Sequence, residues 1–256
     1  MPEMVSAFEE LIKELNDHNK SHDSSVNCVL SDQPIIINGC IDTKNWEIKI
    51  TVGTLFEEKY STLETKQKND LDIMNKLVHF LYSHEKGHHT YCPFDNTHIK
   101  RINAEIGKNS NNGNIHLISN IFADWITDAC NYYENNDNLS GQGLLYLMDL
   151  CCRPGQVSDM DHIIYGVKQF IFLRKINSDY PVWGFDAWVK SISSEIKNTI
   201  FQCVQCLVGV ELCPQPDEAS LEALLTKDNN EIRKAFLDKT NGPRKVGKLP
   251  IFLMHI

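Results

Sequence analysis

The chain has 256 residues, of which 42% are hydrophobic and 23% charged, and its formal net charge is −9. This composition is typical of a globular protein with a hydrophobic core, and it excludes a fibrous or disordered chain. The acidic balance also argues against nucleic acid as a partner, because phosphate contacts need clustered Lys and Arg.

The first 20 residues carry charges every few positions and lack the apolar centre of a signal peptide. No stretch reaches the roughly 18 apolar residues that a membrane span requires. The sequence therefore predicts a cytoplasmic protein with no membrane partner. In that reducing compartment, the nine cysteines are expected to be small core residues and not a disulfide framework.

Local patterns predict a helix, two β-rich segments and then a mainly helical chain. Helical spacing of apolar residues predicts an opening helix at 3–17. Two β-rich runs follow, the first formed by 28–30 with 34–38 and the second by 46–52. Turn signals are Asn38-Gly39 and residues 42–45. Further helices are predicted at about 70–90, 97–108, 115–133, 143–152, 159–177, 185–210, 219–226 and 228–238, with a short strand at 249–256.

This order of elements predicts an α+β fold, with a small antiparallel or mixed sheet and a mostly helical C-terminal part. We divide the chain into a metal-binding core at 1–135 and a helical extension at 136–256, packed together as one compact domain.

The segment His84-Glu-Lys-Gly-His88 is an H-E-x-x-H motif at the end of an apolar helical stripe. Residues four apart share a helix face, so His84 and His88 can bind one ion. Glu85 projects about 100° away, beside the ion, where it can accept a proton from a metal-bound water. The alternative is that two histidines at the core edge flank a solvated glutamate.

A catalytic zinc site needs a third protein ligand and one open position. The best candidate lies on the helix at 115–133, where Asn120, Asp124 and Asp128 form a stripe beside Phe122 and Trp125. If Asp124 binds the ion, Asp128 lies one turn further and can accept a hydrogen bond from a ligand imidazole. Asn120 is a second residue expected behind the ligands. The alternatives are Asp128 or His116 as third ligand, or a stripe that is simply the solvated helix face.

The strings His84-Glu-Lys-Gly-His88-His-Thr-Tyr91-Cys-Pro93 and Asn120-Ile-Phe-Ala-Asp124 resemble the zincin-type metallopeptidase domains associated with von Willebrand factor A-like proteins. The resemblance covers roughly residues 70–134. It implies a zincin-like core, one zinc ion (Zn2+) per chain and Asp124 as the third ligand. It also implies a separate von Willebrand factor A-like or AAA ATPase chain as partner.

The predicted activity is that of a zinc metallopeptidase, in which a zinc-activated water attacks a peptide bond and Glu85 is the general base. A peptide or protein is the expected substrate, held by strand 46–52 as a sheet edge. The oxyanion donor is left open among Tyr91, His116, His162 and Tyr165. Two alternatives share the scaffold: a catalytically inactive binding or regulatory protein, and a zinc amidohydrolase acting on a non-peptide substrate.

Overall fold

The computed structural model describes residues 26–42, 47–56, 71–91, 96–108, 114–135, 138–151, 158–173, 188 and 190–208, together with Glu10, Lys13 and Asp17. Those three single residues are helical, and the rest of the helix predicted at 3–17 lies outside the described residues. The segments predicted at 219–226, 228–238 and 249–256 also lie outside them.

The sheet has three strands, β1 (Val26–Leu30), β2 (Ile37–Asp42) and β3 (Glu47–Val52), in the spatial order β1-β3-β2. The central strand β3 pairs parallel with β1 and antiparallel with β2. Alternate residues of β3, Ile48, Ile50 and Val52, are buried, as the period of two in its sequence requires. The α+β class with a mixed sheet is confirmed.

Two predictions about this sheet are wrong. The sequence predicts strand 46–52 at an edge, but β3 has a neighbour on each side, and the described edges are β1 and β2. The dipeptide Asn38-Gly39 predicts a turn, but both residues lie within β2, opposite Thr51 and Ile50. Pairing with β3 along six residues therefore outweighs the local turn preference of Asn-Gly.

Six α-helices are described: α1 (Leu71–Thr90), α2 (Asn96–Gly107), α3 (Ile115–Asn135), α4 (Asn138–Cys151), α5 (Asp159–Lys168) and α6 (Ser194–Val208). A π-helical turn, Gln169–Leu173, follows α5 directly. The helix predicted at 185–210 is not continuous, because the chain leaves helical geometry at residues 192–193. The hydroxyl of Ser193 accepts a hydrogen bond from the Ile196 backbone N–H (3.2 Å), which caps the start of α6.

The described residues fall into two compact units. The first takes residues from Met1–Lys86 and Asn138–Gly155 and so contains the sheet, most of α1 and α4. Within it α4 lies directly on α1, since a Cβ added to Gly143 would lie 1.9 Å from the Lys76 carbonyl oxygen. Lys76 is buried, and its ammonium lies 5.6 Å from the centre of the Tyr146 ring.

The second unit takes residues from Gly87–Asp137, Gln156–Asp179 and Gly184–Ile256, and it contains the end of α1 with α2, α3, α5 and α6. Trp125, buried in α3, donates its indole N–H to the Ile164 carbonyl of α5 at 3.0 Å. The rings of Phe170 and Phe201 meet edge to face with centroids 5.3 Å apart. The division predicted at residues 135–136 stays a prediction.

Helix α1 contributes to both units, with their boundary between Lys86 and Gly87. Among the helices in the described part of the chain, none combines the length and apolarity needed to cross a membrane.

Candidate metal centre

Helix α1 supplies the two histidines of the H-E-x-x-H motif. Ile73, Leu77 and Leu81 form its buried stripe, and the half-buried His84 and His88 continue that stripe toward the end of the helix. Their spacing of four residues places one imidazole above the other on a single helix face. The ring of Phe80, one turn before, lies 5.6 Å from the His84 ring, centre to centre.

The third residue, Asp124, comes from α3. Its Oδ1 lies 3.3 Å from Nε2 of His88, with the two side chains 32% and 18% exposed. Trp125 and Ala123 on either side of Asp124 are buried, so core packing holds this part of α3 in place. Among the described residues, His84, His88 and Asp124 form a group whose possible ligand atoms all lie within 4.8 Å of one another.

The donor set and its spacing fit a divalent metal ion. Tetrahedral zinc with ligand distances of about 2.0–2.1 Å places two ligand atoms about 3.3–3.4 Å apart. The His88–Asp124 separation of 3.3 Å already has this value. Two imidazole nitrogens and one carboxylate oxygen make up a known ligand set of catalytic zinc, which leaves a fourth position open.

Gly87, which directly precedes His88 in the motif, lets α3 approach the end of α1 closely. A Cβ at this position would lie 2.5 Å from Cγ2 of Thr127 and 2.8 Å from the side-chain nitrogen of Asn131. Real Cβ atoms essentially never come so close to another atom. The absence of a side chain at Gly87 therefore allows α3 to bring Asp124 to His88.

The second ring nitrogen of His88 faces a hydroxyl group. Nδ1 of His88 lies 3.5 Å from Oγ1 of Thr127, which is long for a hydrogen bond. Metal-binding histidines commonly donate their other ring N–H to such an oxygen, which fixes the tautomer. Thr127 is fully buried, and it was not among the residues selected from the sequence.

Glu85 is 7% exposed, which is unusual for a glutamate. It lies within the first unit, close to strand β2: a Cβ at Gly39 would lie 2.8 Å from Oε1 of Glu85 and 3.1 Å from its Cγ. On helix α1 it follows His84 by one position, about 100° around the axis. A carboxylate in this place is beside the histidine stripe and not on it.

Asp128 forms an ion pair that its sequence pattern does not predict. Its Oδ2 lies 2.6 Å from Nζ of Lys168, and both side chains are almost completely buried. Burial by itself would lower the pKa of Lys168, but the charges of Asp128 and Asp124 and a hydrogen bond with Asp128 outweigh it. The pKa of Lys168 is therefore raised above its ordinary value of 10.5.

A signal for Lys168 does exist in the sequence. Lys168 and Gln169 interrupt an otherwise apolar run from Val167 to Leu173, and a lysine at such a position needs a buried partner. The role of Asp128 behind the metal ligands stays a prediction, and its described ion-pair partner is Lys168.

The remaining selected residues lie in varied surroundings. Asn120 is exposed, and the exposed His116 has Nδ1 3.5 Å from the Asn103 side-chain nitrogen. Nδ1 of His162 accepts a hydrogen bond from the Trp188 indole N–H (2.8 Å). Tyr165 is half-buried, whereas Tyr91 is buried, and its backbone N–H donates to the Gly87 carbonyl at 2.7 Å.

The candidate metal-binding group found among the described residues thus contains the three predicted ligands and neither alternative third ligand, Asp128 or His116. Comparison with family models, with curated proteins and with solved structures found no match to this chain.

Proposed function

We propose that this protein is a zinc-dependent metallopeptidase with a zincin-like core, in which His84, His88 and Asp124 bind the ion. The observation that carries the proposal is the clustering of these three side chains of α1 and α3, whose possible ligand atoms all lie within 4.8 Å of one another. A zinc ion there would acidify a coordinated water and polarise a carbonyl group. Glu85 accepts the proton of the attacking water and passes it to the leaving amine.

The burial of Glu85 supports catalysis over an inactive metal-binding scaffold. Removing a carboxylate from water costs free energy, and a glutamate on a solvated helix face avoids that cost. Buried carboxylates beside candidate ligands are typical of acid–base sites. An inactive binding or regulatory protein has no need of a base at this position.

The position of Gly39 beside Glu85 supports a peptide as substrate. Strand β2 carries Gly39 and is an edge of the described sheet, with β3 on one side. An extended peptide can pair with this edge through main-chain hydrogen bonds. A small non-peptide amide has no extended main chain and cannot bind in this way. We therefore place the peptide on β2, in place of strand 46–52, and favour a peptidase over a non-peptide amidohydrolase.

The oxyanion donor is proposed to be Tyr91. It follows His88 by three residues, within one helical turn, whereas Nδ1 of His162 is already engaged by Trp188. A von Willebrand factor A-like or AAA ATPase partner stays a prediction from the resemblance alone.

The test is metal analysis combined with hydrolysis of an internally quenched fluorogenic peptide mixture. We expect about one zinc per chain, lost in His84→Ala and in His88→Ala, because each variant lacks one of three ligands. Glu85→Gln should retain zinc and lose hydrolysis, since an amide cannot accept the proton. His116→Ala, on the exposed start of α3, is the control and should retain both.

One equivalent of zinc in a His84→Ala/His88→Ala double variant would contradict the site. Loss of zinc in Glu85→Gln would make Glu85 a ligand and contradict the mechanism. Loss of zinc in His116→Ala would give that histidine the role assigned to Asp124.

A further inference from the structure

The contact between Gly39 and Glu85 joins the proposed base to the edge of the sheet. The three heavy atoms nearest to a Cβ built on Gly39 all belong to Glu85: Oε1 at 2.8 Å, Cγ at 3.1 Å and Cδ at 3.4 Å. The carboxylate thus lies against the backbone of β2, in the volume that a side chain at residue 39 would fill.

This position requires a small residue because of space and not because of backbone geometry. The φ angle of Gly39 lies outside the left-handed region that favours glycine, and the residue is paired within β2 opposite Ile50. Glycine normally weakens a strand interior, where it often marks a close approach of another group. Here that group is the Glu85 side chain.

We propose that Gly39 is a positioning residue for Glu85. The absence of a side chain at Gly39 leaves a space that holds the Glu85 carboxylate beside the metal centre and beside strand β2, where the peptide is proposed to bind. This inference rests on the proposed function. It assigns to β2 a second role, because the same short strand both holds the base and offers its main chain to the peptide.

The geometry predicts which part of the enzyme an added methyl group would disturb. The Cβ of an alanine at residue 39 would lie 2.8 Å from Oε1 and 3.1 Å from Cγ of Glu85, so both atoms must shift and the carboxylate leaves its present position. His88 and Asp124 lie in the second unit and keep their own contacts with each other. A base displaced by about 1 Å can lower the rate about 100-fold without altering the metal ligands.

The first experiment compares Gly39→Ala with the same substitution at Gly107. In the control, the nearest atom to the new Cβ is Cδ1 of Ile115 at 3.3 Å. For Gly39→Ala we expect unchanged zinc content and affinity, a kcat for the fluorogenic peptide mixture lowered about 100-fold and a smaller change in KM. Gly107→Ala should change none of these quantities. A Gly39→Ala enzyme with wild-type kcat would overturn the proposal, as would a loss of zinc equal to the loss of rate.

The second experiment asks whether the effect of Gly39→Ala passes through Glu85. In the Glu85→Asp background the carboxylate is withdrawn by one methylene, so Gly39→Ala should lower kcat far less than it does in the wild type. Equal losses of kcat in the two backgrounds would mean that Gly39 acts through another residue.

Thermal unfolding tests the packing of Glu85 against Gly39 without any substrate. Gly39→Ala should lower Tm in the wild type and should leave it unchanged or raise it in the Glu85→Ala background, where the crowding is gone. Equal Tm shifts in both backgrounds would contradict the proposed packing of Glu85 against Gly39. A different outcome is that the zinc-loaded wild type hydrolyses no peptide while the Tm shifts differ between backgrounds. In that case the proposed function is wrong, and so is the role of Gly39 in catalysis. The packing of Glu85 against Gly39 would still be supported.

Discussion

Gly87→Ala tests the close approach of α3 to α1 that brings Asp124 to His88. The added Cβ would lie 2.5 Å from Cγ2 of Thr127, about 1 Å nearer than ordinary van der Waals contact. Thr127 is fully buried and branched at Cβ, so its methyl group has little freedom to move away. The two helices must therefore separate locally.

The cost can be estimated from two opposing effects. Crowding of a packed core costs about 1–3 kcal/mol, whereas alanine in place of glycine inside a helix contributes about 1 kcal/mol of stability. The cost of crowding exceeds the gain in helix propensity over most of that range. We therefore expect Gly87→Ala to lower the free energy of unfolding by about 1 kcal/mol, which corresponds to roughly 2–4 °C in Tm. A separation of about 1 Å would also lengthen the 3.3 Å between His88 and Asp124 beyond the spacing of zinc ligands.

The assay is thermal unfolding together with zinc titration against a chromophoric chelator. We expect Gly87→Ala to bind zinc about 10- to 100-fold more weakly, the usual penalty when a site loses its support. Thr127→Ser removes the crowded methyl group and keeps the hydroxyl beside His88, so the Gly87→Ala/Thr127→Ser double variant should recover much of the affinity. Thr127→Ser alone is the control. Wild-type Tm and zinc affinity in Gly87→Ala would refute the reasoning.

Three further predictions concern the carboxylates, the buried cation and the metal. Asp124→Ala should weaken zinc binding nearly as much as His84→Ala, whereas Asp128→Ala should lower affinity only about 10- to 100-fold; zinc titration that reverses this order would make Asp128 the ligand. Lys168→Met should lower the unfolding free energy by about 3–5 kcal/mol, because it removes the cation that neutralises a buried carboxylate. Since the pKa of Lys168 is raised in the folded state, the stabilisation by Lys168 should be fully present below pH 10.5, its ordinary pKa, and should shrink as pH rises through the higher folded-state pKa. Urea unfolding measures this stabilisation as the difference in unfolding free energy between wild type and Lys168→Met, and a difference that grows above pH 10.5 would contradict the prediction. Removal of zinc with a chelator should lower the wild-type Tm and leave the Tm of His84→Ala unchanged. If the free zinc concentration is initially 1,000 times Kd, its removal should lower the free energy of unfolding of the wild type by about 4 kcal/mol.

Strong periodicity makes parts of the fold and of the candidate site predictable. The stripe from Ile73 to His88 predicts α1 and the direction of both imidazoles, and the spacing of Asn120, Asp124 and Asp128 predicts α3. These inferences depend on residues three or four apart, which one helix brings together without help from the rest of the chain. The resemblance contributed Asp124, which lies beside His88.

Other features depend on residues far apart in the sequence and were missed for that reason. Asn38-Gly39 has a strong local preference for a turn, and only pairing with β3 makes it a strand. Strand order likewise requires knowledge of β1 and β2 together. The partner of Lys168 lies 40 positions away on α3, so the sequence signals a buried lysine but does not indicate which carboxylate neutralises it.

The Asp128–Lys168 pair also constrains how this chain can vary during evolution. Loss of either residue exposes the other to the desolvation cost of an unmatched buried charge, whereas replacement of both by apolar residues of similar volume can be neutral. Substitution at the two positions should therefore be concerted, and each position alone should look intolerant in a single-substitution scan. Such intolerance would mark an obligate charge balance in the core and would be mistaken for a catalytic requirement unless the double replacement were also made.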